Sequence, residues 1–422
     1  MVHNMHMNPS TSLRVKRVLI FSLTYRPYIG GAEVAIKEIT DRMDPTEYEF
    51  DMITLRFDSK LPEVEQVGNV TVYRIGATVE NAKVSDRNLP TILKRAKLLF
   101  PLTSLWKALS LHRAHAYDMT WAMMANYAAF GALFFKYAHP SVPYYLELQD
   151  GNSLSQVKSR QPILAVLWLI YKRIYLKADL IKAISTFIEK LAREIGYKGP
   201  VVVIPNAVDT EKFSAPVSGQ MLWELKNKYG KEHGDVYLFT ASRLVLSRGV
   251  EDVIRALPHL PNNVKFLIAG EGDDREKLEE IAKKAEVQKR VIFAGHVGHD
   301  ELPALFKMCD VFVRPSIIEG FGNAFVEAFA AGIPVVATPV GGIVDFLYDP
   351  WKDPEYPSTG IFCEVRDPLS IAKAVRAYLD DPVLIATIVK NAKALAIQKY
   401  DWNIIARDMK AKVFDVLVQP KP

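Results

Sequence analysis

Two glutamates, Glu319 and Glu327, are the first candidates for chemistry, because they flank a glycine-containing loop in the stretch EGFGNAFVE. Ionised carboxylates only accept hydrogen bonds, so they suit ligands that present vicinal hydroxyl groups. Gly320 and Gly322 allow a ligand to approach the main chain closely. A helix predicted from Asn323 would direct its free backbone N–H groups at a bound anion. The pattern predicts a site for an elongated ligand with sugar-like rings and negative charge.

Two arginines, Arg243 and Arg248, lie between the end of a predicted strand and the start of a predicted helix. Arginine binds phosphate oxygens through paired N–H groups of fixed geometry. Such cations, together with helix dipoles, can stabilise the charge that develops on a departing phosphate, a task for which many enzymes use a metal ion. No D-x-D motif follows a predicted strand, since Asp273 and Asp274 are predicted to begin a helix. We therefore expect no metal site.

The stretch from Val311 to Gly342 resembles the signature of retaining, nucleotide-sugar-dependent family-4 glycosyltransferases of the GT-B fold. The similarity lies in the two glutamates within EGFGNAFVEAFAAGIPVVAT. It implies that Glu319 contacts the donor sugar or the attacking side and that Glu327 holds the ribose diol. It also implies that sugar hydroxyls and phosphate are held by the backbone of four residues: Phe321, Gly322, Asn323 and Ala324.

Other motifs extend the resemblance along the chain. PYIGGAE, which contains Gly30 and Gly31, is similar to the N-terminal glycine loop of the family, which faces the donor diphosphate and the acceptor. A tight turn that requires glycine is the alternative explanation. Gly270 and Glu271, after VKFLIAG, resemble the loop that contacts the nucleotide base. The family usually has lysine at the position of Arg248, which keeps the charge and changes its geometry.

The residues predicted to lie on the acceptor side of the site are Gln149 and Asp150, which follow the predicted strand Tyr144–Leu148. Ligands of open α/β sheets bind beyond the carboxyl ends of the strands. Many members of the family have a histidine near this point, whereas Gln149 can hydrogen-bond a hydroxyl but cannot titrate. Asp150 could orient the acceptor hydroxyl, or it could serve only as the turn residue before Gly151.

Alternating strands and helices must position these residues. The first series of β/α units ends at VVVIPNAVD, a turn-rich stretch over 210–220 is the predicted linker, and the alternation restarts at Val236. We predict an α/β protein with two Rossmann-like parallel-sheet domains facing across a cleft. The acceptor-side domain would cover 1–213 and the nucleotide-sugar-binding domain 214–401. By resemblance alone, a last helix over 402–422 crosses back onto the first domain.

The composition is that of a globular protein, with 49% hydrophobic and 24% charged residues in a chain of 422. A net charge of +5 is too small for this length to indicate a nucleic acid partner. Cys309 and Cys363 cannot by themselves form a disulfide framework or a zinc site. The sequence predicts neither a signal peptide nor a membrane span, so we expect a cytoplasmic protein.

A peripheral contact at the inner membrane face is a further expectation, based on the basic and apolar segment Leu93–His115. Such a segment could meet a membrane or an anionic acceptor. The commoner interpretation is the solvated face of a helix packed on the sheet. His299 and Asp300 are predicted to cap the helix that follows them.

Together these features predict a retaining, metal-independent glycosyltransferase. It would move a sugar from a UDP- or GDP-linked donor to a glycan, lipid-linked or small-molecule acceptor, with no cofactor beyond the nucleotide sugar. The resemblance implies a same-face mechanism in which the leaving phosphate helps to deprotonate the acceptor. The expected catalytic residues are Arg243, Arg248, Glu319 and Asp150. A nucleotide-sugar epimerase on the same fold and a non-catalytic two-domain solute-binding protein are the alternatives.

Overall fold

A computed structural model of the chain describes residues 14–82, 89–151 and 168–418, and two separate sheets organise them. The strands of the first sheet are β1 Lys16–Phe21, β2 Tyr48–Leu55, β3 Val64–Val67, β4 Val70–Ile75, β5 Met119–Met123, β6 Tyr144–Leu148, β7 Leu180–Ala183 and β8 Val201–Val203. Their order is β3-β4-β2-β1-β5-β6-β7-β8. Only the β3–β4 pair is antiparallel among these described strands.

The second sheet is parallel throughout its described strands. They are β9 Val236–Ala241, β10 Val264–Ala269, β11 Val291–Gly295, β12 Val311–Arg314, β13 Val335–Ala337 and β14 Ile361–Phe362. Their order is β11-β10-β9-β12-β13-β14. Strands such as VKFLIA are apolar almost without interruption, because helices cover both faces of a parallel sheet. The predicted α/β class with two parallel-sheet units is confirmed.

Helices fill the connections between the strands. Those of the first part are α1 Gly31–Thr40, α2 Thr91–His115, α3 Tyr127–Ala138, α4 Trp168–Leu176, α5 Thr186–Glu194, α6 Thr210–Ser214 and α7 Gly219–Tyr229. Those of the second part are α8 Val250–Ala256, α9 Arg275–Lys284, α10 Leu302–Met308, α11 Asn323–Ala331, α12 Pro368–Asp380, α13 Pro382–Lys399, α14 Trp402–Met409 and α15 Asp415–Leu417. A π-helical turn, Lys410–Phe414, joins α14 to α15.

The chain crosses between the two sheets twice, and the two crossings lie side by side. Val208 and Asp401 form a parallel bridge, in which the Val208 N–H donates to the Tyr400 carbonyl at 2.9 Å. Beyond the second crossing, Trp402 and Phe414 are buried in the core of the first sheet. The last helices therefore complete one face of the first domain.

The predicted linker over 210–220 is wrong in detail, because helix α6 occupies its first half and α7 begins at Gly219. Asp209 caps α6 through its side chain, which accepts from the Lys212 N–H at 2.9 Å. The buried ring of Phe213 packs edge-on against Phe306 at 5.8 Å. The boundary after residue 213 stays a prediction.

None of the described helices is long and apolar enough to cross a membrane. Both cysteines are free and buried. Burial raises the pKa of the Cys363 thiol to about 12, and it raises the pKa of the Cys309 thiol as well. Both thiols are therefore uncharged near neutral pH and act as small core residues.

Candidate active site

Glu319 lies in the loop between β12 and α11, and only 7% of it is exposed. Its Oε2 atom accepts hydrogen bonds from Arg248 Nη1 at 2.7 Å, Arg314 Nη2 at 2.8 Å and Ser316 Oγ at 3.4 Å. Its Oε1 atom accepts no side-chain hydrogen bond from any residue that the structure describes. One oxygen is thus fixed by protein cations, and the other remains available to accept a further hydrogen bond.

Arg314, which the sequence pattern did not single out, is the buried partner of Glu319. It ends strand β12, is 6% exposed, and lies with its guanidinium 4.4 Å from the centre of the Phe325 ring. Burial lowers the pKa of Arg314, and the neighbouring Glu319 carboxylate opposes that shift. The sequence feature that could have identified Arg314 is its position as the single charged residue at the end of the apolar strand VFVR.

The two predicted arginines differ in their surroundings. Arg248 ends a short 3₁₀ segment, which is attached to the Glu319 loop by a hydrogen bond from the Ile317 N–H to the Ser247 carbonyl at 2.9 Å. Arg243 is exposed, and within 14–82, 89–151 and 168–418 its side chain has neither an ion pair nor a hydrogen bond. Arg248 and Arg314 together exceed the charge of Glu319 by one, and Arg243 adds a second positive charge at the same end of the sheet.

The N-terminus of α11 is open toward the cleft. Gly322 precedes it with φ of +93°, and no side chain caps its first N–H groups. A Cβ at Gly322 would lie 2.5 Å from the Phe325 ring and 2.7 Å from Arg314 Nη2, so only glycine fits there. The backbone of Asn323 and Ala324 can therefore donate to an anion, as the predicted contact requires.

Glu327 lies one turn further along α11 and is 9% exposed. His299 Nε2 is 3.6 Å from its Oε1. The prediction that His299 and Asp300 cap the next helix is wrong, because Asp300 forms an ion pair with Lys212 and residue 301 occupies the capping position. The structure thus adds His299 to the predicted ribose-binding carboxylate.

The predicted base-contacting loop, Gly270 and Glu271, packs on the loop that carries Arg243. The Leu244 N–H donates to the Glu271 carbonyl at 2.9 Å. The side chain of Glu271 remains exposed. Both loops follow the carboxyl ends of adjacent strands, β9 and β10, which is the edge where ligands of open α/β sheets bind.

The first domain meets this edge through Gln149 and its neighbours. Gln149 exchanges hydrogen bonds with Asn206, whose Nδ2 also donates to Asn323 Oδ1 at 3.2 Å across the cleft. Asp150 is exposed beside Gly151. A Cβ at Gly151 would lie 2.7 Å from the Gly320 nitrogen, so the two loops touch.

The glycine loop of the first domain also opens on the cleft. Gly30 and Gly31 are exposed at the start of α1, and no side chain caps that helix end. A Cβ built on Gly31 would be 3.6 Å from Asn323 Nδ2. The structure therefore brings residues predicted from five separate sequence regions to one cleft, although their roles toward a ligand stay predictions.

Comparison with known proteins identifies the kind of enzyme that has this cleft. Residues 29–212 match the family model described as Glycosyltransferase Family 4, and residues 222–395 match Glycosyl transferases group 1. The two matches cover the first sheet except β1 and all described strands of the second sheet. The chain belongs to the family-4-type glycosyltransferases. It is therefore an enzyme of that class, and the solute-binding and epimerase alternatives are not favoured.

This glycosyltransferase has full-length relatives of known sequence and of known structure. It is similar to an uncharacterized glycosyltransferase of Methanocaldococcus jannaschii, with 28% identity over 93% of this chain and 96% of the relative. Sucrose-phosphate synthase from Thermosynechococcus elongatus superimposes with a TM-score of 0.79 at 20% identity, covering 95% of this chain and 99% of that one. HepE of Anabaena, solved with UDP and glucose, superimposes with a TM-score of 0.73 at 20% identity, covering 95% of this chain and 100% of HepE. These structures confirm the GT-B fold.

Proposed function

We propose that this glycosyltransferase moves a sugar from a nucleoside diphosphate to an acceptor hydroxyl, with retention of the anomeric configuration and without a metal ion. The observation that carries the proposal is the cationic cluster formed by Arg248 and Arg314 on Glu319, beside the open N-terminus of α11, with Arg243 exposed at the same end of the sheet. A nucleoside diphosphate is the leaving group that such a cluster suits, because negative charge grows on its phosphate as the glycosidic bond breaks.

The fixed cations support metal independence. Arg248 and Arg314 leave one net positive charge after Glu319 is counted, and Arg243 supplies another. Both arginines that contact Glu319 are held by it, so little reorganisation is needed when the phosphate departs. Backbone N–H groups of α11 add a helix dipole in the same place.

UDP-linked sugars are the first donors to test. The structural neighbour HepE was solved with UDP and glucose, which supports a uridine nucleotide, while GDP-linked sugars stay a second choice. Glu327 would accept from the ribose hydroxyls, and His299 at 3.6 Å would restrain its carboxylate. The loop of Gly270 and Glu271 would meet the base.

The free Oε1 of Glu319 supports a role in holding the sugar. Its other oxygen is already bound by two guanidinium groups, so we place Glu319 beside a sugar hydroxyl and not as a covalent nucleophile. In the same-face step, the acceptor oxygen bonds to the anomeric carbon while the bond from that carbon to the phosphate oxygen breaks. The acceptor proton passes to the leaving phosphate.

The test is an assay of nucleoside diphosphate release from a panel of UDP- and GDP-sugars, with glycan, lipid-linked and small-molecule acceptors. We expect release that depends on the acceptor, an unchanged rate in EDTA, and a product whose anomeric proton coupling matches that of the donor. Binding without turnover, an isomerised sugar nucleotide as the only product, or loss of activity in EDTA that magnesium restores would contradict the proposal.

We also propose that helix α2 contacts an anionic membrane surface, which favours a lipid-linked acceptor. Its inward face is buried, while its outward face exposes Leu98, Leu99, Leu102 and Trp106 by 48%, 53%, 52% and 75%. Neither α2 nor helix α3, which packs against it, contains an acidic residue. An exposed apolar stripe on a helix whose charged residues are all basic is complementary to anionic lipid headgroups.

Cosedimentation with vesicles tests this contact. We expect binding to phosphatidylglycerol-containing vesicles and much weaker binding to phosphatidylcholine alone. Trp106→Ser should reduce the bound fraction, whereas Trp223→Ser, which removes a tryptophan that is 65% exposed on α7, should not. Equal binding of both variants, or no vesicle binding by the unaltered protein, would overturn the proposal.

A further inference from the structure

A fully buried ion pair lies behind the acceptor side of the cleft. Lys182 in β7 and Glu147 in β6 are both 0% exposed, and Lys182 Nζ is 2.6 Å from Glu147 Oε1. The other carboxylate oxygen accepts from the Tyr145 hydroxyl at 2.7 Å. Burying two charges is costly, and a pair of this kind is weak evidence of stabilisation by itself.

The ion pair is the first member of a chain of side-chain hydrogen bonds that ends in the other domain. Gln149 Nε2 donates to Glu147 Oε1 at 2.6 Å. Gln149 and Asn206 then exchange two hydrogen bonds, of 3.0 and 2.7 Å. Asn206 Nδ2 finally donates to Asn323 Oδ1 at 3.2 Å. Asn323 is the first residue of α11, beside the cationic cluster.

The carboxylate sets the direction of every bond in this chain. An amide can present either its N–H₂ or its oxygen, whereas an ionised carboxylate can only accept. Gln149 must therefore turn its Nε2 to Glu147, which leaves its oxygen to accept from Asn206 Nδ2. That nitrogen in turn fixes Asn323 Oδ1 as an acceptor. Asn323 then keeps its Nδ2 for the cleft, on the side of Gly31.

We infer that Glu147 and Lys182 are positioning residues that orient the amides of Gln149 and Asn206, so that Asn323 presents N–H donors to the sugar nucleotide. The acceptor atom on the ligand is an oxygen of the diphosphate or of the sugar, and its identity rests on the proposed function. Lys182 is needed because a buried carboxylate without a cation favours its protonated form. A protonated Glu147 could donate, and the direction of the chain would no longer be defined.

The test compares the double variant Glu147→Gln/Lys182→Met with the unaltered enzyme. The variant keeps the site neutral, but the new amide can donate or accept, so the direction is lost. We expect the KM for the sugar donor to rise on the order of tenfold, the equivalent of one lost hydrogen bond. Lys136→Met is the matched control, because it breaks another lysine–carboxylate pair, with Asp179, that adjoins the same sheet. It should change the melting temperature and leave KM unchanged.

A second variant covers the case in which the double variant does not fold. Gln149→Met removes the link at the cleft without altering the buried pair, and it should raise KM by a similar factor. Combining Gln149→Met with Glu147→Gln/Lys182→Met should raise the KM for the sugar donor little further, since the three substitutions act through one chain of hydrogen bonds. Unchanged KM in a folded Gln149→Met variant would overturn the inference, as would fully additive effects. If the unaltered enzyme binds no sugar nucleotide in equilibrium binding, the proposed function fails instead.

Discussion

At the scale of residues, the site depends on charged side chains that strands hold at their ends or within their cores. Arg314 ends an apolar strand, and Glu147 and Lys182 lie inside two others. Each is buried, and each has its partner on a different element. Because each charge is neutralised by a protein partner, these side chains can remain ionised beside the cleft although they are shielded from water.

Arg243→Ala should lower kcat by 10²- to 10³-fold, on the order of 3–4 kcal/mol in activation free energy, because one cation is removed from the departing phosphate. Steady-state kinetics with the best sugar donor will measure this. Arg243→Lys should retain part of the rate. The control is Arg275→Ala, which removes a half-exposed ion pair with Glu279 on α9 and a contact with the Phe293 ring. Equal losses in the two alanine variants would contradict the assigned role.

Arg314→Met should lower the free energy of unfolding by about 3–5 kcal/mol, because Glu319 would keep its buried charge with one cation fewer. Denaturant titration will measure the change. Adding Glu319→Gln should restore much of the stability while activity stays low. A stable and active Arg314→Met enzyme would show that Arg248 alone suffices to hold the carboxylate.

The sequence could predict Arg248, Glu319 and the helix at Asn323, because local spacing and glycine placement determine them. It could not predict that Glu319 and Arg248 bind each other, since 71 residues separate them in the chain. Arg314 and Glu147 were missed for the same reason: a single charge in an apolar strand becomes informative only when its distant partner is known. Asn206, which lies in the stretch VVVIPNAVD, joins the two domains through Asn323, a contact that the sequence did not predict.

At the scale of elements, the C-terminal helices are held on the first sheet by packing and by charge. Phe414 contacts the rings of Tyr48, Trp121 and Tyr145. Next to it, Asp415 accepts from Lys16 Nζ at 2.8 Å and from the Tyr48 hydroxyl at 2.6 Å. The packing buries one face of α14, and the polar contacts fix the end of the π-helical turn.

Asp415→Asn should lower the free energy of unfolding by about 1–2 kcal/mol at pH 7, since hydrogen bonds to a partly exposed carboxylate are lost. Burial acts to raise the pKa of Asp415, but hydrogen bonds from Lys16, Tyr48 and Lys410 outweigh it and lower the pKa to about 2. An unfolded aspartate titrates near 3.9. The stabilisation is therefore complete above about pH 5 and is lost as the pH falls toward 2.

Denaturation curves of the unaltered protein and the Asp415→Asn variant between pH 7 and pH 2 will measure this dependence. The difference between their unfolding free energies should shrink over the acidic part of the range. A difference that stays constant down to pH 2 would show that the hydrogen bonds to Asp415 do not depend on its charge.

At the scale of the whole molecule, the two domains also contact each other outside the chain of hydrogen bonds that ends at Asn323. Asp345 of the second domain accepts from the Thr186 N–H at 2.7 Å and from the Thr186 hydroxyl at 2.5 Å, and so it binds the first residue of helix α5 of the first domain, which Ser185 caps. Ser185 Oγ donates to the Gly320 carbonyl at 2.7 Å. These contacts hold the loop of Glu319 against the first domain and favour a closed cleft.

Asp345→Ala should open the cleft, because it removes both hydrogen bonds that join Thr186, at the start of α5, to the other domain. We expect a larger radius of gyration by small-angle scattering and weaker binding of nucleoside diphosphate, by about fivefold, or roughly 1 kcal/mol for the lost hydrogen bonds. Asp367→Ala removes the cap of α12 within the second domain and serves as the control. An unchanged radius and affinity in Asp345→Ala would show that other contacts determine closure.

The return of Trp402 and Phe414 to the first sheet has a consequence for biosynthesis. Translation proceeds from the N-terminus to the C-terminus. Strands β1, β2 and β5 therefore leave the ribosome long before Trp402 and Phe414, which cover one face of these strands. Until the segment that contains Trp402 and Phe414 has been translated, Val18, Ile20 and Trp121 lack part of the apolar layer that shields them. The nascent first domain therefore exposes an apolar surface during this interval, and chaperones that bind exposed apolar segments should engage it until that segment emerges.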